Sequence, residues 1–150
     1  MGSHIRSAVV AGLLILAMLG PSVAQSIEAV NERIETLHGS AKTFEVAFEV
    51  LQERVAAGDA ETVAALVSYP LVVSIDGERV SIDGESEFAE RYDDIITRQI
   101  AEVITGQDYA ELFVNQDGVM FGNGEVWMRP FCTDRTCEVI YWLIEAINLP

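Results

Sequence analysis

The chain predicts an α+β domain, with helices gathered early and an antiparallel sheet late. Two observations carry this. From Ile27 apolar residues recur every three or four positions, and after Pro70 they alternate with polar ones between short Asn, Asp and Gly turns. The length agrees: 150 residues suit one hydrophobic core rather than two. Half of them are hydrophobic and 22% are charged, the balance of a globular body rather than of a disordered chain.

Residues 1–24 read as an address. Arg6 precedes Ala8 to Leu19, a run of twelve residues with no polar side chain. As a helix that run spans roughly 18 Å, short of the roughly 30 Å hydrocarbon core of a bilayer. Gly20 and Pro21 break it, and Ser22 and Ala24 place small residues three and one before Gln25. This is the pattern of a signal peptide cleaved after Ala24, with an uncleaved anchor as the rival. It predicts a periplasmic or secreted protein. No cysteine stands at the exit, so a lipid is not attached there.

Nine basic and 24 acidic residues give a net charge of -15, and losing Arg6 leaves eight basic residues and -16. So acidic a surface repels phosphate backbones and anionic headgroups. Nucleic acid is excluded as a partner, and so is the membrane after cleavage.

The mature chain begins with a helical segment, residues 25–43. Ile27, Val30, Ile34, Leu37, Ala41, Phe44, Phe48, Leu51 and Val55 form one stripe, with glutamates on the opposite face. Gly39 and Ser40 interrupt the stripe and can divide it in two. Gly58 stops the helix, and Asp59 can cap a shorter one running to Val67. Pro70 changes the period. Leu71, Val73 and Ile75, then Asp76-Gly77, then Val80 and Ile82 describe a hairpin. Asp83 or Ser86 can cap the next helix, whose face carries Phe88, Tyr92, Ile95 or Ile96, Ile100 and Val103 or Ile104 up to Gly106.

The remainder is strand and turn. Leu112 to Val114, Val119 to Phe121 and Val126 to Met128 are separated by turns at residues 115–118 and 122–124. Val139 to Ile147 is apolar on both faces apart from Glu145, as expected of a strand in the middle of a sheet. Between these strands Cys132 and Cys137 flank four polar residues. A disulfide pinning a hairpin is the simplest reading, worth about 2 kcal/mol for so short a loop. A redox pair usually has two intervening residues, and a zinc site in the mature chain would find only His38 as a third soft ligand.

Part of this sequence resembles the nuclear transport factor 2-like superfamily, SnoaL-like proteins included. The likeness lies in residues 57–67, Tyr69-Pro70-Leu71, the Asp76-Gly77 hairpin and a helix from Gly84. It continues in Glu90-Arg91-Tyr92-Asp93-Asp94-Ile95, Leu112-Phe113-Val114-Asn115 and residues 118–127. It spans Phe44 to Ile147, and these last pieces look like small secreted bacterial members of unassigned role. The resemblance implies a cone-shaped roll over residues 44–150, with N-terminal helices packed on a strongly curved antiparallel sheet. It also implies a long third helix with a pocket beneath it. It says little of activity, since that scaffold hosts isomerases, cyclases, dehydratases and binding domains.

The residues themselves hold no nucleophile elbow, no zinc-protease motif, no phosphate loop and no calcium loop, so neither cofactor nor metal is expected. Enzymes of the resembled type set a carboxylate in an apolar pocket, often beside a tyrosine, where a raised pKa suits proton abstraction. Asp93 or Asp94 beside Tyr92 are the candidates. As ordinary solvated helix residues they have no such role. Tyr69 can sit at a pocket mouth. Glu125, Trp127 and Arg129 share one strand face, which either lines the pocket, letting Glu125 and Arg129 pair, or turns outward as a partner surface. Tyr141 and Glu145 share a face of the last strand, where Glu145 either reaches solvent or needs a partner.

The candidate pocket is therefore Tyr69, Tyr92, Asp93, Trp127, Arg129 and Tyr141. The leading expectation is an exported non-catalytic domain that binds a small apolar ligand or an envelope protein. The alternative is a cofactor-free lyase or isomerase using Asp93 with Tyr92. A homodimer through the open sheet face fits either.

Overall fold

The structure, a computed structural model, describes residues 25–150. The leader and cleavage site expected before Gln25 lie outside the described residues.

The long apolar stripe does divide at Gly39. Helix α1 (Ile27–His38) ends on Gly39, whose φ of 76° is left-handed and whose N–H donates to the carbonyls of Ile34 and Glu35. Helix α2 (Ala41–Ala57) follows directly and buries Phe44, Phe48, Leu51 and Val55. Helix α3 (Ala60–Ala64) is capped as its sequence predicts: Asp59 accepts from the Thr62 N–H at 3.1 Å and from its hydroxyl at 2.7 Å. These bonds, with Arg54 nearby, hold the Asp59 carboxyl below the usual range. The helix is shorter than expected, because Leu66 to Ser68 leave it to meet a strand.

Strands β1 (Leu71–Ile75) and β2 (Glu78–Ile82) form the expected antiparallel hairpin. Both central turn residues, Asp76 and Gly77, have positive φ (52° and 80°), the geometry that matches strand twist in two-residue hairpins.

The continuous helix expected up to Gly106 is corrected to three pieces: α4 (Glu85–Glu90), α5 (Tyr92–Ile95) and α6 (Arg98–Gly106). Gly84 occupies the cap of α4 with no side-chain bond, so neither Asp83 nor Ser86 caps it. The second break has a physical reason. Ile95 and Ile96 are both buried, yet successive helix residues point about 100° apart. The backbone turns at Ile96 to bring both inward, and Thr97 starts α6 by accepting from the Ile100 N–H at 3.4 Å. Three β-branched residues in a row, Ile95-Ile96-Thr97, weaken the helix at that point.

Strands β3 (Phe113–Asn115), β4 (Gly118–Phe121), β5 (Val126–Cys132) and β6 (Ile140–Ile147) form an antiparallel sheet in that order. The expected central position of the last strand is thus corrected: β6 ends the order. Its free side meets only a short parallel bridge, in which Ser68 N–H donates to Ile144 O at 2.8 Å and Ile144 N–H to Leu66 O at 2.7 Å. In β6 the pairing runs Met128 with Ile144 and Trp127 with Ala146, leaving Glu145 as the extra residue of a bulge. The bulge shifts parity, so Ile144 and Ile147 both face the core.

Helices α2 and α6 cover the inner face of this sheet. Phe44 meets Trp142 at 4.8 Å between ring centroids, and Phe48 stacks on Phe121 at 5.5 Å. Helix α1 lies along the edge of β3. There Gln25 Nε2 donates to Leu112 O at 3.0 Å, Arg33 Nε to Val114 O at 2.7 Å and His38 Nε2 to Asn115 O at 2.8 Å. Two side chains of α1, and Gln25 just before it, thus satisfy carbonyls of the edge strand and of the residue preceding it. Among the described residues no helix is long and apolar enough to cross a membrane.

Candidate functional site

The six candidate residues fall on three parts of the molecule: Tyr69 with Tyr92, Asp93 by itself, and Trp127 with Arg129 and Tyr141. Tyr69, just before β1, donates its hydroxyl to Ala64 O at 2.8 Å and lies edge-on to Phe88 at 6.4 Å. Burial, with the Glu85 charge, pushes its phenol far above the usual value. Tyr92 also lies edge-on to Phe88, at 6.3 Å. Its hydroxyl is buried with no partner among the described residues, and burial, then Asp93 and Asp59, raises its pKa. Neither tyrosine ionises near neutrality.

Asp93 follows Tyr92 in sequence and parts from it in space. It is exposed, with Asp94, in an open groove of about 590 Å³ between the β1–β2 turn, the α5–α6 junction and Leu149. That groove includes neither Tyr69 nor Tyr92. A general base needs its carboxylate within reach of a substrate in a dry site. Here the apolar surroundings belong to the tyrosine, and the carboxylate stands in water.

Trp127, Arg129 and Tyr141 lie together on the outer face of the sheet. The question of strand orientation is resolved by burial: Val126 and Met128 are fully buried, so Trp127 and Arg129 turn outward. The pairing of Glu125 with Arg129 is corrected. Glu125 Oε2 curls back to accept from the Asn123 N–H at 2.6 Å in its own turn, and Arg129 Nη1 pairs with Glu145 Oε1 at 3.0 Å. Glu145 is thus half-exposed and partnered at once, while its Oε2 is buried with no hydrogen bond among the described residues. Gly118 makes room for the arginine: a Cβ there would stand 2.3 Å from Met128 O and 2.9 Å from Arg129 Cγ.

Around these three the strand register assembles side chains that the sequence reading did not single out. Phe113 pairs with Met120 and Met120 with Trp127 across β3, β4 and β5; Phe131 pairs with Tyr141, and Arg129 with Leu143. Phe113 is 48% exposed and Tyr141 53%, while Met120, Trp127, Phe131 and Leu143 are half-buried. The signal that could have found them is the one seen in β6 alone: apolar residues at both parities of a strand.

Beyond β4 the β5–β6 ribbon continues as two strands, and its tip is closed by a disulfide between Cys132 and Cys137, whose Cα atoms are 4.9 Å apart. Such a bond is at home in an oxidising compartment. His38, the third soft ligand of the sequence, is far from chemistry of that kind; its ring stands edge-on to Trp142 at 5.5 Å and bonds the β3 edge. Among the described residues no three His, Cys, Asp or Glu side chains are grouped to hold a metal ion. Comparison of the chain with protein-family models, with curated proteins and with solved structures finds no match.

Proposed function

We propose that this chain is an exported, non-catalytic binding domain of the nuclear transport factor 2-like kind. The outer face of β3–β6 takes a protein partner of the cell envelope. One observation carries the reading: Phe113, Met120, Trp127, Phe131, Tyr141 and Leu143 form a row of apolar side chains on a sheet face with no helix over it among the described residues. Surfaces rich in aromatics with an arginine at their centre are where binding energy concentrates. The sheet's bulge and its one-sided helical cover support a curved, cone-like roll. Against the lyase alternative stand Tyr92 and Asp93, one with its hydroxyl buried and the other in solvent.

Charge narrows the partner. With 24 acidic residues against eight basic ones after Arg6 is lost, the chain favours a basic protein with an apolar centre. The test is a photo-crosslinking side chain placed at Trp127, compared with one at Asp93, in protein exported by living cells. A heterologous basic protein captured at position 127 and not at 93 is the expected result. Absence of an adduct, or an adduct joining two copies of this chain only, overturns the envelope-partner reading; the second outcome would make the face a dimer interface.

A further inference from the structure

We propose that the cleft between α1 and β3 binds a carboxylate carried on an apolar chain, with Arg33 as the anchor and Phe113 as the apolar wall. The cleft measures about 430 Å³ and is lined by Gln25, Ala29, Arg33, Phe113 and Val114. None of these is acidic, in a chain with 24 acidic residues. That contrast separates this cleft from the groove beside Asp93 and from the α3–α4 groove, which holds Glu61, Glu85 and Glu90.

Arg33 is held in a way that suits it to an anion. Its Nε donates to Val114 O at 2.7 Å, which fixes the plane of the guanidinium at the sheet edge. The two Nη groups make no hydrogen bond or ion pair among the described residues, whereas Arg54, Arg91, Arg98 and Arg129 each face a carboxylate. Arg79 and Arg135 also face none there, but no hydrogen bond fixes their guanidinium groups as Val114 O fixes that of Arg33. Residues 1–24 contain no Asp or Glu that could supply one. A guanidinium with its position set and its terminal fork unused is matched to the two oxygens of a carboxylate. Ala29 and Arg33 also line a neighbouring groove, which holds Glu32 with Thr36 and Leu37, so the anion belongs on the Phe113 side.

The second half of the ligand follows from Phe113, which is 48% exposed beside the arginine. An alkyl or aromatic group attached to the carboxylate would cover its ring and the Ala29 methyl. The volume suits a small amphiphilic acid, at the lower end of small-ligand clefts. The site adjoins the outer sheet face at Phe113 and does not depend on a partner there.

The experiment is a titration of the ¹⁵N-labelled protein with decanoate, methyl decanoate and acetate, followed by amide chemical shifts. Decanoate should move Ala29, Arg33 and Phe113 saturably; methyl decanoate, which lacks the charge, and acetate, which lacks the chain, should bind at least about tenfold more weakly. Arg33→Gln should lower decanoate affinity about tenfold. Because Arg33 also serves Val114, Phe113→Ala is the companion: it leaves the guanidinium in place and should weaken decanoate without affecting acetate. Equal binding of decanoate and its methyl ester overturns the proposal. So do shifts centred on Met120, Trp127 and Tyr141 instead, which would mark general apolar uptake by the outer face.

Discussion

The inner and outer faces of β3–β6 are cut from the same strands and differ in what covers them. On the inner face Val119, Phe121, Val126 and Met128 have no exposed surface. On the outer face Phe113 and Tyr141 keep about half of theirs, at 48% and 53%. The side chains are nearly as apolar on one side as on the other. Hydrophobicity therefore does not decide burial here; the placement of α2 and α6 on one side does. What is left over is a surface with the composition of a core and the exposure of an interface.

That contrast can be broken by truncation. Phe121→Ala removes a ring stacked on Phe48 and should cost about 3–5 kcal/mol, read from urea unfolding. Trp127→Ala should cost less than about 2 kcal/mol, since its site is open to water on one side. Equal losses would make the outer face a second core and remove the case for a partner. The next effect is smaller. Replacing both Cys132 and Cys137 by serine should lower stability by at most about 2 kcal/mol, because the closed loop is short and lies at the exposed tip of the ribbon. A greater loss, with the outer-face aromatics becoming mobile, would show that the tip organises the face. Smallest of all is Asp93→Asn, expected to change the unfolding free energy by less than about 1 kcal/mol. A clear loss of ligand binding without unfolding would bring the carboxylate back as a working group.

The helices and strands were largely legible because their periods are local. The three-four stripe of α1 and α2, the Asp76-Gly77 hairpin and the short strands after Leu112 stand where their residues indicate. The helix between Gly84 and Gly106 was misread as continuous. Its apolar spacing is compatible with one long helix, and Ile95 and Ile96 fit that stripe as alternatives. Only the need to bury both forces the backbone to turn. The last strand was misplaced for a related reason: a strand apolar on both faces is central when both faces are covered, and among the described residues one is not.

The candidate site was less legible. Trp127, Arg129 and Tyr141 belong together, but Phe113, Met120, Phe131 and Leu143 join them only through the register of four strands. Arg33 and Phe113 are 80 positions apart in number and share a cleft because α1 packs along the edge of β3. Residue types, periods, caps and turns are set by neighbours a few positions away, so the sequence by itself determined the kinds of element, the Asp59 cap, the hairpin and the cysteine pairing. Which apolar face is covered, which arginines lack a carboxylate among the described residues and where the helix bends depend on contacts between distant segments. Those are fixed only when one core is filled from one side, and so the tertiary structure alone decided them.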